Sequence, residues 1–284
     1  MQGSNLIASE KPLNRGVRKY HYGKSGMLLQ MIKYFALLIS FAVLIGMPNS
    51  VQAQQKISAA VVAGLIQPFQ EIAAAFEQET GIKIEATFSS AGRFYAQILN
   101  GAPYDIFISA DVERPSLLYG KALCSKPFTF ATGEVVLWSS KKDFCTAHDW
   151  RDALRQNKIK KIALANPKVA VYGASAQKAL VEAGLWEDVE PRLVTTQDLA
   201  QVFQYAAMDA VDAGFCNLGQ ACSEKGRKGC YYSMKEAPVV VHSACVLTGA
   251  RNRELTERFA AYLSSPAARE IKRKYGYKET IQTK

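Results

Sequence analysis

From Lys56 onward the sequence alternates short apolar runs with amphipathic helical stretches, and this alternation restricts the fold more than any other feature. "KISAAVVA" reads as a buried strand. Pro68 to Thr80 reads as a helix, with Gly81 at its C′ position. In that helix Phe69, Ile72, Ala73 and Phe76 recur at three- and four-residue spacings and make one apolar face. "IKIEATF" is a second strand, "GRFYAQILNG" a second helix opened by the turn "SSAG", "YDIFISA" a third strand and "DVERPSLLYGKAL" a third helix. A β-α-β-α-β order places helices on the faces of a parallel sheet.

After "TFATGEVVLWSS" a second series follows: "KKIALANP" (strand), "YGASAQKALVEAGLW" (helix), "PRLVTT" (strand), "TQDLAQVFQYAAMDA" (helix) and "DAGFCNLG" (strand and turn). "APVVVHSACVLTG" then returns as a long apolar strand, and "NRELTERFAAYLSSPAAREIKRKYGY" supplies two terminal helices. Two α/β modules, with the last segment free to rejoin the first, leave a cleft where the chain crosses between them. Ligands of open α/β sheets bind outside the carboxyl ends of the strands, and interdomain clefts are favoured sites.

The start of the chain is of another kind. "MIKYFALLISFAVLIGMPNSVQA" has a basic start at Lys33, an apolar run from Tyr34 to Met47 and a small-x-small ending at Val51-Gln52-Ala53. The run is the length of a signal-peptide core and short for a membrane span. The expectation is a leader over residues 1–53, cleaved after Ala53, with Met27 or Met31 as an alternative start. An uncleaved anchor is the competing reading, and the short core and visible cleavage site weigh against it. Residues 1–53 carry six Lys/Arg and one Glu, so half of the formal charge of +10 belongs to this leader. The rest is modestly basic with no basic cluster, which argues against nucleic acid as a partner.

Six cysteines, Cys124, Cys145, Cys216, Cys222, Cys230 and Cys245, follow the leader. An even number in an exported chain favours disulfides, and six cysteines allow 15 pairings. The insert "QACSEKGRKGCYYSMKEAP" reads as a surface loop stapled by a disulfide. Its basic residues are a candidate contact for a membrane permease. A zinc site using Cys145/His148 and His242/Cys245 is the rival reading, but no CxxC is present and neither pair has a recognisable partner pair.

"LIQPFQEIAAAFEQETGIKIEATFSSAGRFYAQILNGAPYDIFISAD" resembles the first module of the periplasmic molybdate-binding proteins, the ModA-type solute receptors of ABC importers. "NGAPYDIFISAD", Asn100 to Asp111, is its most specific part. "ALANPKVAVYGASAQKALVEAGLW" resembles the start of the second module and "SSPAAREIKRKYGY" the ending. The resemblance implies a two-lobed α/β periplasmic-binding-protein fold of type II, each lobe a mostly parallel sheet flanked by helices. Its expected parts are residues 54–133 plus 240–284 for one lobe and 134–239 for the other. It also implies a periplasmic, non-enzymatic monomer without a cofactor. Such a protein would close on molybdate or tungstate and deliver it to an ABC permease.

The resemblance carries the oxyanion site to Gly64, Ala91, Tyr172, Leu199 and Asn217, with Ser90 as a neighbouring hydroxyl. Three positions depart from the family pattern. Gly64 and Ala91 stand where serines are usual, and Asn217 stands where some members have tyrosine. A hydrogen bond to a charged group is worth about 1.5–3 kcal/mol. Two uncompensated losses would cost about 3–6 kcal/mol, on the order of a hundred- to ten-thousandfold in affinity. Backbone N–H groups survive any such change, and glycine lets a ligand approach closely. The alternatives are a binding protein of this fold with a changed ligand, or an extracytoplasmic Cys/His metal-dependent enzyme or sensor.

Other polar residues have plainer readings. Arg93, in the first turn of the second helix, is expected to point outward. Asp105 and Asp111 are expected to be structural, with Asp111 capping the next helix. Ser175 in "GASAQ" lacks the last glycine of a nucleophile elbow. Trp138, Trp150 and Trp186 are expected to pack inside the lobes.

Overall fold

The structure, a computed structural model, describes residues 30–37 and 56–279. The chain divides into two compact units, Met1–Ala53 and Gln54–Lys284. In the first, residues 30–37 are helical and exposed. The expected cleavage site at Val51-Gln52-Ala53 lies outside the described residues. No helix among the described residues is long and apolar enough to cross a membrane.

In the second unit β1 (Lys56–Val62) leads through a 3-10 turn (Ala63–Leu65) into α1 (Ile66–Thr80). Then come β2 (Lys83–Ser89), α2 (Ala91–Leu99), β3 (Ile106–Ser109), α3 (Glu113–Gly120) and β4 (Phe128–Gly133). The chain crosses at Glu134 into β5 (Val135–Ser139). There follow α4 (Trp150–Arg155), β6 (Ile162–Ala165), α5 (Val171–Glu182), α6 (Trp186–Val189), β7 (Leu193–Thr196), α7 (Leu199–Ala207), β8 (Ala213–Asn217), α8 (Leu218–Ala221) and β9 (Cys230–Ser233). A second crossing leads to β10 (Val240–Val246), α9 (Arg253–Tyr262) and α10 (Pro266–Lys274).

The strands form two five-stranded sheets, ordered β2-β1-β3-β10-β4 and β7-β6-β8-β5-β9. β1 is parallel to β2 and β3, while β10 runs against both β3 and β4. In the second sheet β6 is parallel to β7 and β8, and β5 runs against β8 and β9. Each sheet therefore has four strands in one direction and one reversed. The fold is a two-lobed α/β one.

Local chemistry explains the elements. Gly81 ends α1 in the left-handed conformation, φ 72°, and its N–H bonds Glu77 O, where a Cβ would be strained. Phe69, Ile72 and Phe76 of α1 are buried on one face, and Phe69 and Phe76 meet Phe259 of α9 edge-on. Trp138 and Trp150 are fully buried and Trp186 packs partly buried at the same core. Asp105 anchors a corner of the first sheet, accepting from Ser58 N at 2.6 Å and Arg251 N at 2.8 Å. Asp111 accepts from Arg114 N at the start of α3. Ser175 Oγ donates to Pro238 O, which removes it from any nucleophilic role.

Two expectations need correction. The insert over residues 220–238 is not all loop: Cys230–Ser233 pairs with Val136–Ser139 as an edge strand. Its disulfide does not close within the insert either. Cys230 is bonded to Cys145, 85 residues away, while Cys124, Cys216, Cys222 and Cys245 are thiols in the structure.

Candidate functional site: an inter-lobe cavity at four helix starts

A cavity of about 20 Å³ lies between the sheets. It is lined from one side by Gly64 in the turn after β1 and by Ser89, Ser90 and Ala91 where β2 enters α2. Ala170 to Tyr172 at the start of α5, and Asp198 and Leu199 at the start of α7, line it from the other. One water occupies roughly 10–15 Å³ on such a measure, so the lobes stand close together around this space.

Four helical entrances converge here, two from each lobe. The first N–H groups of a helix have no partner within it, and the helix dipole adds partial positive charge. Val62, Ser90 and Ala170, which precede three of the entrances, make no side-chain cap bond. At the fourth, the Asp198 carboxylate accepts from Gln201 N at 3.1 Å, so the one acidic side chain in the lining is engaged. No lysine or arginine lines the cavity. The arrangement offers neutral donors, which suits a small anion stripped of water.

Ser90 is the telling residue. It is 4% exposed, and its Oγ has no hydrogen-bond partner although its backbone caps α2. A buried hydroxyl without a partner costs about 1–3 kcal/mol, and a ligand in the cavity would meet that need. Sequence position alone gave Ser90 as a neighbour of the expected contact at Ala91; both line the cavity.

Gly64, Tyr172 and Leu199 also line it, but Asn217 does not. The Asn217 Nδ2 group gives its two hydrogens to Gly64 O at 2.9 Å and Tyr277 OH at 2.8 Å. Its Oδ1 accepts from Gln220 N in a capping box at the start of α8. Asn217 is thus a buried clamp behind the cavity with no free donor. Tyr277 OH also donates to Gly64 O, at 3.0 Å. These bonds explain the glycine: a Cβ at position 64 would lie 2.8 Å from Asn217 Nδ2 and 2.9 Å from a Leu199 methyl. The space for a family-type serine is filled by the opposite lobe. Sequence reasoning missed Tyr277, for which only its place in the "KYGY" ending was a signal.

Behind the clamp lies a buried aromatic group. Tyr172 lies tilted and Tyr277 edge-on to His242, with ring centroids 5.7 and 5.5 Å away. Burial raises the pKa of both phenols and pushes His242 down to about 3, with the Ala131 backbone offsetting part of the effect. Neither ring nitrogen of His242 has a hydrogen-bond partner, nor has Tyr172 OH at good geometry. His242 is thus neutral and internal. His148 is exposed, and Cys145 is taken by its disulfide. Among the described residues no group of three or more His, Cys, Asp or Glu side chains is placed to hold a metal ion.

Cross-lobe bonds rim the cavity. Gly92 N donates to Val169 O at 3.1 Å, and Arg93 reaches across to Gln197 Oε1 at 2.5 Å. Arg93, expected to be outward and solvated, is exposed yet joins the lobes.

The family model of bacterial extracellular solute-binding proteins matches residues 57–278. The chain belongs to that family. It is 33% identical over 227 residues to the molybdate-binding protein ModA of Rhodobacter capsulatus, covering 79% of this chain and 89% of that protein. Against the Azotobacter vinelandii ModA it is 34% identical over 227 residues, with coverage of 78% and 89%. The solved structure of the Azotobacter vinelandii periplasmic molybdate-binding protein superposes with a TM-score of 0.75 at 27% identity, covering 79% of this chain and 99% of that one. These relatives are binding proteins, not enzymes, and the alternative of a Cys/His metal enzyme or sensor is not favoured.

Proposed function

We propose that this solute-binding protein captures molybdate, and tungstate equally, between its lobes and hands it to an ABC permease. The observation that carries the reading is the meeting of four helix starts from two lobes on one cavity that also holds the unpartnered Ser90 hydroxyl. The donors are the backbone N–H groups of Gly64, Ala91, Tyr172 and Leu199 with Ser90 Oγ. Asn217 acts indirectly, holding the Gly64 peptide. The anion joins residues 54–133 and 240–284 to residues 134–239. Contacts from both lobes exist only when the lobes are closed, so binding favours closure. The leader directs export and is removed after Ala53, leaving a periplasmic monomer that has no use for nucleic acid.

A site built of donors accepts a fully deprotonated tetrahedral dianion and penalises one that carries a proton, because the proton would need an acceptor. That sets molybdate and tungstate apart from hydrogen phosphate. Separation from sulfate rests on size.

Calorimetric titration of the chain from Gln54, stripped of ligand by unfolding and refolding with its disulfide intact, tests this. Submicromolar binding of molybdate and tungstate, with sulfate and phosphate silent, is the expected result. Preferred binding of sulfate would assign the site to a smaller dianion, and silence from all four would overturn the oxyanion reading.

A further inference from the structure

The single disulfide joins the two chain segments that cross between the lobes. Cys145 follows β5, the first strand after the first crossing, and Cys230 opens β9, the last strand before the second. β5 and β9 are hydrogen-bonded neighbours, with Ser139 opposite Cys230. The same two segments pair in the other lobe as β4 and β10. A ribbon of two antiparallel segments thus runs from lobe to lobe, with a covalent tie at one end.

The opposite end of the ribbon carries two more cysteines. Cys124 precedes β4 and forms a bridge with Leu247, just past β10. The flanking bonds are Ser125 N to Val246 O at 2.7 Å and Thr248 N to Leu123 O at 2.9 Å. Cys124 and Leu247 are therefore a non-hydrogen-bonded antiparallel pair, whose side chains share one face. Cys245 lies two residues from Leu247, so it faces the same side, diagonal to Cys124. Both cysteines belong to one small buried cluster with Phe94, Phe107 and Leu118, where they are 5% and 0% exposed. The two thiols perturb each other: Cys245 lowers the pKa of Cys124 and has its own raised. Cys216 and Cys222 show no such mutual effect; Cys216 is wholly buried and Cys222 sits half-buried against Gly276.

We propose that Cys124 and Cys245 form a second disulfide in the exported protein, nested outside Cys145–Cys230, so that the crossing ribbon is tied covalently at both ends. The bond forms by thiol–disulfide exchange with a protein disulfide of the oxidising compartment. A thiolate attacks one sulfur of the donor, and the second cysteine resolves the mixed disulfide. Two thiols are oxidised, two donor thiols are released, and the protons of the protein thiols end on them. The exchange happens during folding, before Phe94 and Leu118 cover the pair. With both ends tied, the two segments cannot slide past one another. Lobe movement is then confined to bending at residues 133–135 and 233–240.

The test is a thiol census on protein secreted through its own leader, alkylated with iodoacetamide in denaturant without reductant. Two carbamidomethyl groups, on Cys216 and Cys222, are expected. Tryptic peptide Ala122–Lys141 should be found linked to Glu236–Arg251. In a Cys124→Ala variant the count should rise to three, with Cys245 newly alkylated. Four groups on the wild type, or a linkage of Cys124 or Cys245 to any other cysteine, would overturn the proposal. The readout does not depend on anion binding, so its failure leaves the reading of the cavity untouched.

Discussion

At the scale of single residues, the proposed site separates donors for the anion from the groups that hold those donors. In that proposal Ser90, whose buried hydroxyl has no partner, adds one side-chain donor to the backbone N–H groups. Ser90→Ala should leave the fold intact and weaken molybdate binding by about 1.5–3 kcal/mol, roughly ten- to 150-fold, in the same titration. An unchanged affinity would show that Ser90 faces no ligand. Gly64→Ala should also weaken binding, by about tenfold or more, because the added methyl displaces Asn217 or Leu199 and with them the closed lobes. Asn217→Ala should do likewise without removing any donor to the anion, by freeing the Gly64 peptide. Gly64, Ala91, Tyr172 and Leu199 were legible through the resemblance to the molybdate-binding family, and all four line the cavity. The role of Asn217 was not legible, because its partners Gly64 and Tyr277 lie 153 and 60 residues away.

At the scale of elements, most strands and helices could be read from apolar periodicity, because each long helix presents one buried face and each inner strand is largely buried. The exceptions share a cause. β9, "CYYS", is short and sits among glycines and lysines; its strand character comes from pairing with β5 and from the bond to Cys145, not from its own pattern. α10 hides a further feature behind a polar sequence. Lys272, 5% exposed, donates to Phe130 O at 2.8 Å and Leu263 O at 3.0 Å and lies over the Phe130 ring. Burial pushes its pKa down to about 8, with Glu279 opposing and Arg269 adding to the shift. An unfolded lysine titrates at about 10.4. Between these values the unfolded chain holds a proton that the folded one has released, so this lysine makes stability rise with pH from about 8 towards 10. Lys272→Met should lack that rise. Urea unfolding of both proteins from pH 7.5 to 9.5 checks it, since the other titrating groups cancel in the difference; parallel curves would refute the shift.

At the scale of the whole molecule, the bonds between the two lobes include those of Asn217 to Gly64 and Tyr277, Gly92 to Val169, Arg93 to Gln197 and Lys278 to Glu134. The first crossing adds a steric link, because Tyr172, which lines the cavity, lays its hydroxyl against Gly133, beside Tyr277 and His242. No side chain fits at Gly133 while the lobes stand as they do. A ligand that adds contacts from both sides binds the folded, closed chain and not the unfolded one. At a concentration 100 times its Kd it should stabilise by about 2.7 kcal/mol. For a chain of this size that raises the Tm by roughly 5–11 °C. In a Gly133→Ala variant the methyl must push Tyr172 aside, which withdraws one helix start from the anion and props the crossing open. The variant should therefore unfold at a lower temperature than the wild type and gain a smaller increment from molybdate. Thermal scans at matched ligand concentrations separate the two effects. A lowered Tm with the full ligand increment would mean that Gly133 serves folding alone, whereas a reduced increment ties the hinge to the site through Tyr172.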